Sequence, residues 1–379
     1  MKIEIDQLGA AVAGVAGKAL ASGACLSVPV RRIVTFHLSS LTDLIWTLPA
    51  LSAMRDSFPG AHITSVARPP LTALLRATAS VDEVLSRPRG GLSSQAGLMA
   101  RLHGAHFDIA VAFSPSRNTT LLAWSTGAAI RAGYEGAKMD ALLTHRVSPA
   151  ASPFHAVPAL AESVLHATGN EAAPGWDAPG WDAPGRDAPL ALAREIGCAT
   201  HRHDALGLIA PPAEANRRVA RWLESAGIEG EFLVVAAQSG RKKSDRQWTS
   251  EGWSEALSIL AGRWPVILVG TAPQPALTLD ERVLDWGGRT DLPTLAALCA
   301  RARLACGIDC GALHLAAAMG TPTVALFHAP AEVSRAPRGA LNRSVLLDGK
   351  SDAPGCDAPG RDAHEAERVV AAVRETIGV

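Results

Sequence analysis

The chain has 379 residues, too many for one ordinary hydrophobic core and enough for two domains of common size. Hydrophobic residues make up 48% and charged residues 19%, so each half can bury a full core and global disorder is excluded. Lysine plus arginine (36) equals aspartate plus glutamate (36), and that balance gives no electrostatic reason to expect nucleic acid or an anionic membrane as the main partner.

No uninterrupted apolar run approaches the ~20 residues of a membrane-spanning helix. Residues 8–24 are alanine-rich, but Glu4 and Asp6 stand where a signal peptide carries positive charge, and Lys18 interrupts the run. The segment reads as a surface helix within an N-terminal extension, residues 1–30, and is where peripheral contact with the inner face of a membrane would begin. The six cysteines (25, 198, 299, 306, 310 and 356) form no CxxC pair and have no histidine at metal-ligand spacing. They read as free thiols of a reducing cytoplasm, with no metal site.

A first α/β unit is expected over residues 31–170. The apolar run at 33–36 predicts a strand, followed by the polar turn His37-Leu38-Ser39-Ser40. A helical segment then runs to about Phe58, its main part opened by Pro49 with Thr47 or Leu48 as cap. Residues 62–67 are the next strand and 69–76 the next helix. Runs at 81–85, 107–113 and 129–134 supply further strands with helical stretches between them. Continuously hydrophobic strands alternating with helices imply a parallel sheet covered on both faces.

The pattern then breaks. Residues 173–189 read APGWDAPGWDAPGRDAP, and a related DAPGCDAPGRDA occupies 352–363. Proline and glycine at this density fit neither a helix nor a central strand, and a period of five is too short for a repeat architecture. Both are low-complexity insertions, the first in an interdomain linker over 171–204. The even spacing of Trp176 and Trp181 follows from repeat expansion rather than from a sugar-stacking platform.

The alternation resumes in a second unit, residues 205–350. Strands are predicted at 232–236, 266–269, 304–308 and 324–327, and helices at 251–262, 293–302 and 311–319. Residues 351–379 hold the second repeat and a closing helix at 364–377. Two α/β halves in tandem make a hinge, and parallel sheets bind ligands at the carboxyl ends of their strands, so the default site is a cleft between the halves.

Three segments put polar residues where a strand ends and a helix starts. The first is Ser39-Ser40-Leu41-Thr42-Asp43, where Asp43 is either a helix N-cap or a carboxylate able to accept a proton from a substrate hydroxyl. In the second, Ser239, Lys242, Lys243 and Arg246 lie within a glycine-containing basic stretch directly after a strand, a cradle for phosphates or a solvated basic loop. The third holds Asp309, Cys310, Gly311 and His314. Gly311 lets an anion approach the free N–H groups of the helix start, and His314 lies one turn in.

At these residues the chain resembles glycosyltransferase family 9, the heptosyltransferase family. RRIVTFHLSSLTDLIWTLPALSAMRDSFPGAHITSVARPP is similar to the family's opening, and GIDCGALHLAAAMG to its D-x-G-x-x-H-x-x-A-A segment; the basic stretch ending in Arg246-Gln247-Trp248 is similar to its phosphate-binding loop. The resemblance covers most of residues 31–337. It implies a GT-B fold of two Rossmann-like domains whose parallel sheets face a central cleft, the acceptor on the first and the nucleotide sugar on the second. It also implies inverting transfer without metal or cofactor, with a lipid-linked or core-oligosaccharide acceptor and an ADP-activated heptose as donor. Asp43 then matches the general base and Arg246 faces the donor diphosphate. Asp309, Cys310, Gly311 and His314 bind the donor, Gln274 falls near a ribose-contacting glutamate, and Ser39, Ser40 and Thr42 line the acceptor-side loop. The sequence departs from the family at Thr42 (usually glycine), Arg246 (lysine), Cys310 (threonine or serine) and His328 (glycine). Two other readings are a degenerate GT-B protein that binds a sugar nucleotide without transfer and a nucleotide-sugar epimerase. A nicotinamide dehydrogenase is disfavoured because no G-x-G-x-x-G follows the first strand.

Overall fold

The computed structural model describes residues 30–88, 92–136, 139–147, 193, 205–238, 248–274, 277, 280–328, 333, 335–337, 341–347 and 361–379. The expected N-terminal surface helix, the first repeat and most of the second lie outside them. The chain divides into two units, Met1–His203 and Asp204–Val379.

In the first unit, β1 (Arg32–His37) is buried at every position after Arg32, as a strand covered on both faces must be. It pairs in parallel with β2 (His62–Ala67) and β4 (Ile109–Ala112), with Ile33 opposite both Ile63 and Ile109. With β3 (Glu83–Ser86), β5 (Ile130–Tyr134) and β6 (His145–Val147) the sheet runs β3-β2-β1-β4-β5-β6. Among the described residues it is accompanied by α1 (Leu41–Ser57), α2 (Pro69–Leu75), α3 (Leu92–Gly104) and α4 (Arg117–Ser125). The outer strands β3 and β6 are short and half-exposed.

The expectation that Pro49 opens a helix is corrected. Helix α1 already starts at Leu41, because Ser40 and Asp43 form a reciprocal capping box. The Asp43 N–H donates to Ser40 Oγ at 3.2 Å, while the N–H and hydroxyl of Ser40 donate to Asp43 Oδ2 at 2.9 and 2.8 Å. Pro49 therefore sits inside the helix and forfeits one N–H bond there. Burial of the residues around it, from Leu44 through Met54, offsets that loss.

The second unit repeats the plan with β7 (Leu233–Ala236), β8 (Val266–Leu268), β9 (Val283–Asp285), β10 (Leu304–Ile308), β11 (Thr323–Phe327) and β12 (Asn342–Leu346). Their order is β12-β11-β10-β7-β8-β9, all parallel. Counted from its own first strand, this is the strand order of the first sheet. The helices are α5 (Ala213–Ser225), α6 (Ser250–Ala261), α7 (Leu292–Cys299), α8 (Gly311–Ala318) and α9 (Arg361–Ile377). Gly307 on β10 faces β7 so closely that an added Cβ would collide with the Ala236 carbonyl, which is why this central strand carries a glycine.

Helix α9 takes up the last three residues of the second repeat and packs into the core of the second unit. Ala366, Val369, Val370, Val373 and Ile377, at helical spacing, share one cluster with Trp253, Leu257 and Leu260 of α6. Burial on this scale is worth about 1.5–3 kcal/mol per large aliphatic side chain. Two polar contacts fix its start: Trp248 Nε1 donates to the buried Glu365 carboxylate at 2.8 Å, and Thr249 Oγ1 donates to Asp362 at 2.7 Å.

Candidate active site

In each sheet the direction of winding reverses at one point, between β1 and β4 and between β7 and β10. Loops leaving the carboxyl ends of those strands diverge there, and ligands of doubly wound sheets bind in the resulting crevice. The two edges differ in chemistry.

At the first edge β1 ends in His37, whose ring is buried against Phe113 with centroids 5.2 Å apart. His37 Nε2 pairs with Thr35 Oγ1 at 2.9 Å and Nδ1 with Thr47 Oγ1 at 3.1 Å, and Thr35 in turn meets Ser65 at 2.7 Å. Burial lowers the His37 pKa to about 3, so the ring is a neutral hydrogen-bonding strut between β1 and α1. The loop above is tied to the segment after β4 by the Leu38 N–H, which donates to Ser114 Oγ at 3.0 Å, and to Arg68, the residue after β2, which donates to the Ser39 carbonyl at 3.3 Å.

Asp43 is the third residue of α1 rather than its N-cap, which is Ser40. Its Oδ2 accepts both Ser40 bonds, whereas Oδ1 takes no hydrogen bond from the described residues. Ser39 is half-buried and Ser40 exposed; Thr42 is buried, in the second helical position. Thr42 is not among the described residues with positive φ, so the position makes no demand for glycine. Tyr134, the chain's one tyrosine, ends β5 at the same sheet edge. Its hydroxyl is buried without a hydrogen-bond partner among the described residues, and burial together with the charge of Asp43 raises its pKa well above the usual value.

At the second edge Ser239, Lys242, Lys243 and Arg246 lie outside the described residues. The described chain leaves β7 through Gln238 and returns at Trp248. Beyond β8, Asp285 pins the following loop by accepting from the Gln274 N–H at 2.6 Å and the Gly287 N–H at 2.8 Å. The Gln274 side chain is buried, and neither of its amide atoms has a hydrogen-bond partner among the described residues.

The segment after β10 is the most fully built. Cys310 is the extended N-cap of α8, Gly311 its first residue, and Gly320 follows the helix at φ +84, a conformation that favours glycine. Cys310 gives no side-chain cap to the helix, and desolvation pushes its thiol up to about 11, so it is neither hydroxyl donor nor thiolate. Asp309 is buried, its Oδ1 3.6 Å from Nε2 of the buried His314 and its Oδ2 3.3 Å from Nε of Arg335. The structure thus brings Asp309, Cys310, Gly311 and His314 together at one helix start. Sequence reasoning missed Arg335, which arrives from the segment beyond β11 and carries no local signal. It also missed Tyr134, whose uniqueness and strand-end position were available as a signal. Among the described residues no group of three or more His, Cys, Asp or Glu is placed to hold a metal ion, and no helix is long and apolar enough to cross a membrane.

Two doubly wound units in tandem, each with polar groups at the carboxyl edge of its sheet, have the GT-B architecture of nucleotide-sugar glycosyltransferases. Residues 96–356, more than half of the chain, match the profile of glycosyltransferase family 9 (heptosyltransferase), and the chain belongs to this family. The match takes in the second unit's site segments but begins beyond α1, so Asp43 lies outside it. Among solved structures, a family 9 glycosyl transferase from Veillonella parvula is 19% identical with a TM-score of 0.72, covering 93% of this chain and 99% of its own. The ADP-heptose lipopolysaccharide heptosyltransferase II of E. coli is 17% identical at TM-score 0.64, with 91% and 99% covered. E. coli heptosyltransferase WaaC, solved with ADP, is 16% identical at 0.60, again with 91% and 99% covered. No curated protein matches the chain in sequence.

Proposed function

We propose that the chain transfers a heptose from an ADP-activated donor to a lipopolysaccharide-core type acceptor, inverting the anomeric centre without a metal ion. Asp43 takes the proton of the acceptor hydroxyl on its open Oδ1 while Ser40 steadies Oδ2. The freed oxygen attacks the anomeric carbon, the carbon–oxygen bond to the diphosphate breaks, and the nucleoside diphosphate departs with the electron pair. Charge therefore grows on the diphosphate as the reaction proceeds. The start of α8 and the cations Lys242, Lys243 and Arg246, with Ser239 as a hydroxyl donor, meet that charge. Gln274 offers a buried amide to the nucleoside, and Ser39 and Thr42 shape the acceptor loop. The observation that carries the reading is the Asp309–His314 group at the switch point of the second sheet, inside the family match. The ADP-heptose of the E. coli heptosyltransferase II, and the ADP bound to WaaC, make ADP-heptose the first donor to try. A cytoplasmic location, with the acceptor presented at the inner face of the membrane, follows from such a substrate.

The test is nucleotide release from ADP-heptose with deacylated lipopolysaccharide core as acceptor, for wild type and Asp43→Asn. Release should require acceptor and fall by roughly a hundredfold or more in the variant. Donor binding with no turnover on any core acceptor would instead identify a GT-B protein that binds without transferring.

A further inference from the structure

The buried carboxylate of Asp309 stands at the start of α8, where the proposed function puts a diphosphate. Two anions side by side in a region of low dielectric repel, and an unpaired buried carboxylate is itself costly. Arg335 meets both problems. It reaches back from beyond β11 to set its Nε 3.3 Å from Asp309 Oδ2, while His314 Nε2 faces Oδ1 at 3.6 Å. The side chain of Asp309 is 3% exposed and that of Arg335 33%. The anion is therefore enclosed while the cation keeps one side open. With the carboxylate neutralised, the free N–H groups and dipole of α8 can favour an incoming anion.

We propose that Arg335 is a specificity-determining residue of the donor site: by holding Asp309 in a neutral pair, it allows the start of α8 to accept a nucleoside diphosphate. The inference deepens the donor reading and rests on it. It predicts that the damage done by removing Arg335 is repaired by also removing the charge of Asp309, which a merely structural role for the arginine does not predict.

The experiment is calorimetric titration of the full chain with ADP at fixed ionic strength, for wild type, R335K, R335Q, D309N and D309N/R335Q. R335Q should bind ADP about tenfold to a hundredfold more weakly, since one partner of an enclosed charge pair is lost. R335K should stay close to wild type, and D309N/R335Q should regain most of the loss. Should R335Q fail to fold, as judged by loss of cooperative melting, R335K carries the test alone: it keeps the positive charge, so ADP affinity should hold, and a tenfold loss, on the order of one lost charged contact, overturns the inference. ADP binding that is indifferent to R335Q, or a double variant as weak as R335Q, overturns it while leaving the donor reading intact. A wild-type chain that binds neither ADP nor UDP overturns both.

Discussion

The two sheets share one strand order and differ in what they hold at their carboxyl edges. At the first edge the groups around Asp43 are hydroxyls, backbone N–H groups and a histidine kept neutral by burial. The second has a helix start, a charge-paired carboxylate and, in sequence, four cations within residues 241–246. Strand order fixes where an edge lies; the few residues after each strand decide which charge it welcomes. Under the proposed function, one edge takes up a proton and the other accepts an anion.

That contrast can be broken most severely by exchanging the roles of the two edges. Asp43→Asn should depress kcat by about a hundredfold or more with little change in donor binding. The double variant Lys242→Ala/Lys243→Ala should raise the donor KM about tenfold and lower kcat about tenfold as well, since these cations meet charge both on the bound donor and on the departing diphosphate. Steady-state kinetics on both would show whether the split between edges holds; an unchanged donor KM in the lysine variant would sink it. A smaller effect comes from deleting one polar atom from an aromatic side chain in each unit. Trp248→Phe removes a hydrogen bond to buried Glu365 and should cost about 1–3 kcal/mol in urea unfolding. Tyr134→Phe removes a hydroxyl with no hydrogen-bond partner among the described residues and should leave stability unchanged or raise it by up to ~1 kcal/mol. Equal losses in the two would mean that the Tyr134 hydroxyl has a partner after all.

The remaining effect depends on pH. The folded His37 pKa of about 3 lies below the ordinary 6.5, so the unfolded chain binds the extra proton between those values. Stability tied to His37 is complete above about pH 6.5 and is lost as pH falls towards 3, at up to ~1.4 kcal/mol per pH unit. The drop in Tm between pH 7.5 and pH 5 should therefore shrink in His37→Gln.

How far the fold was legible depended on whether a strand's role was written in its own residues. Central strands such as β1, β10 and β11 are unbroken apolar runs and could be placed within a residue or two. The strands β6, β9 and β12 were not recognised. HRV, VLD and NRSVL are short and partly polar, and pairing with a neighbour rather than pattern makes them strands. Pro49 misled because its local preference for a helix start was outweighed by the Ser40–Asp43 capping box, which begins nine residues earlier. The strand-to-helix junctions at Asp43 and Asp309–Gly311 were readable for the opposite reason, since sequence position alone places them at a sheet edge. Arg335 and Glu365 were not readable, because each acquires its role through a partner 26 or 117 residues away.

The bond between Trp248 and Glu365 also bears on how the second unit is made. A ribosome adding 5–20 residues per second needs on the order of ten seconds to travel from one partner to the other. During that interval the apolar face of α6 exists without the helix that covers it. The second unit therefore has a long exposure window during synthesis, and a chain interrupted before Arg361 emerges with its core open. Chaperone dependence during translation should rise for any change that weakens α9, even where the finished enzyme tolerates it.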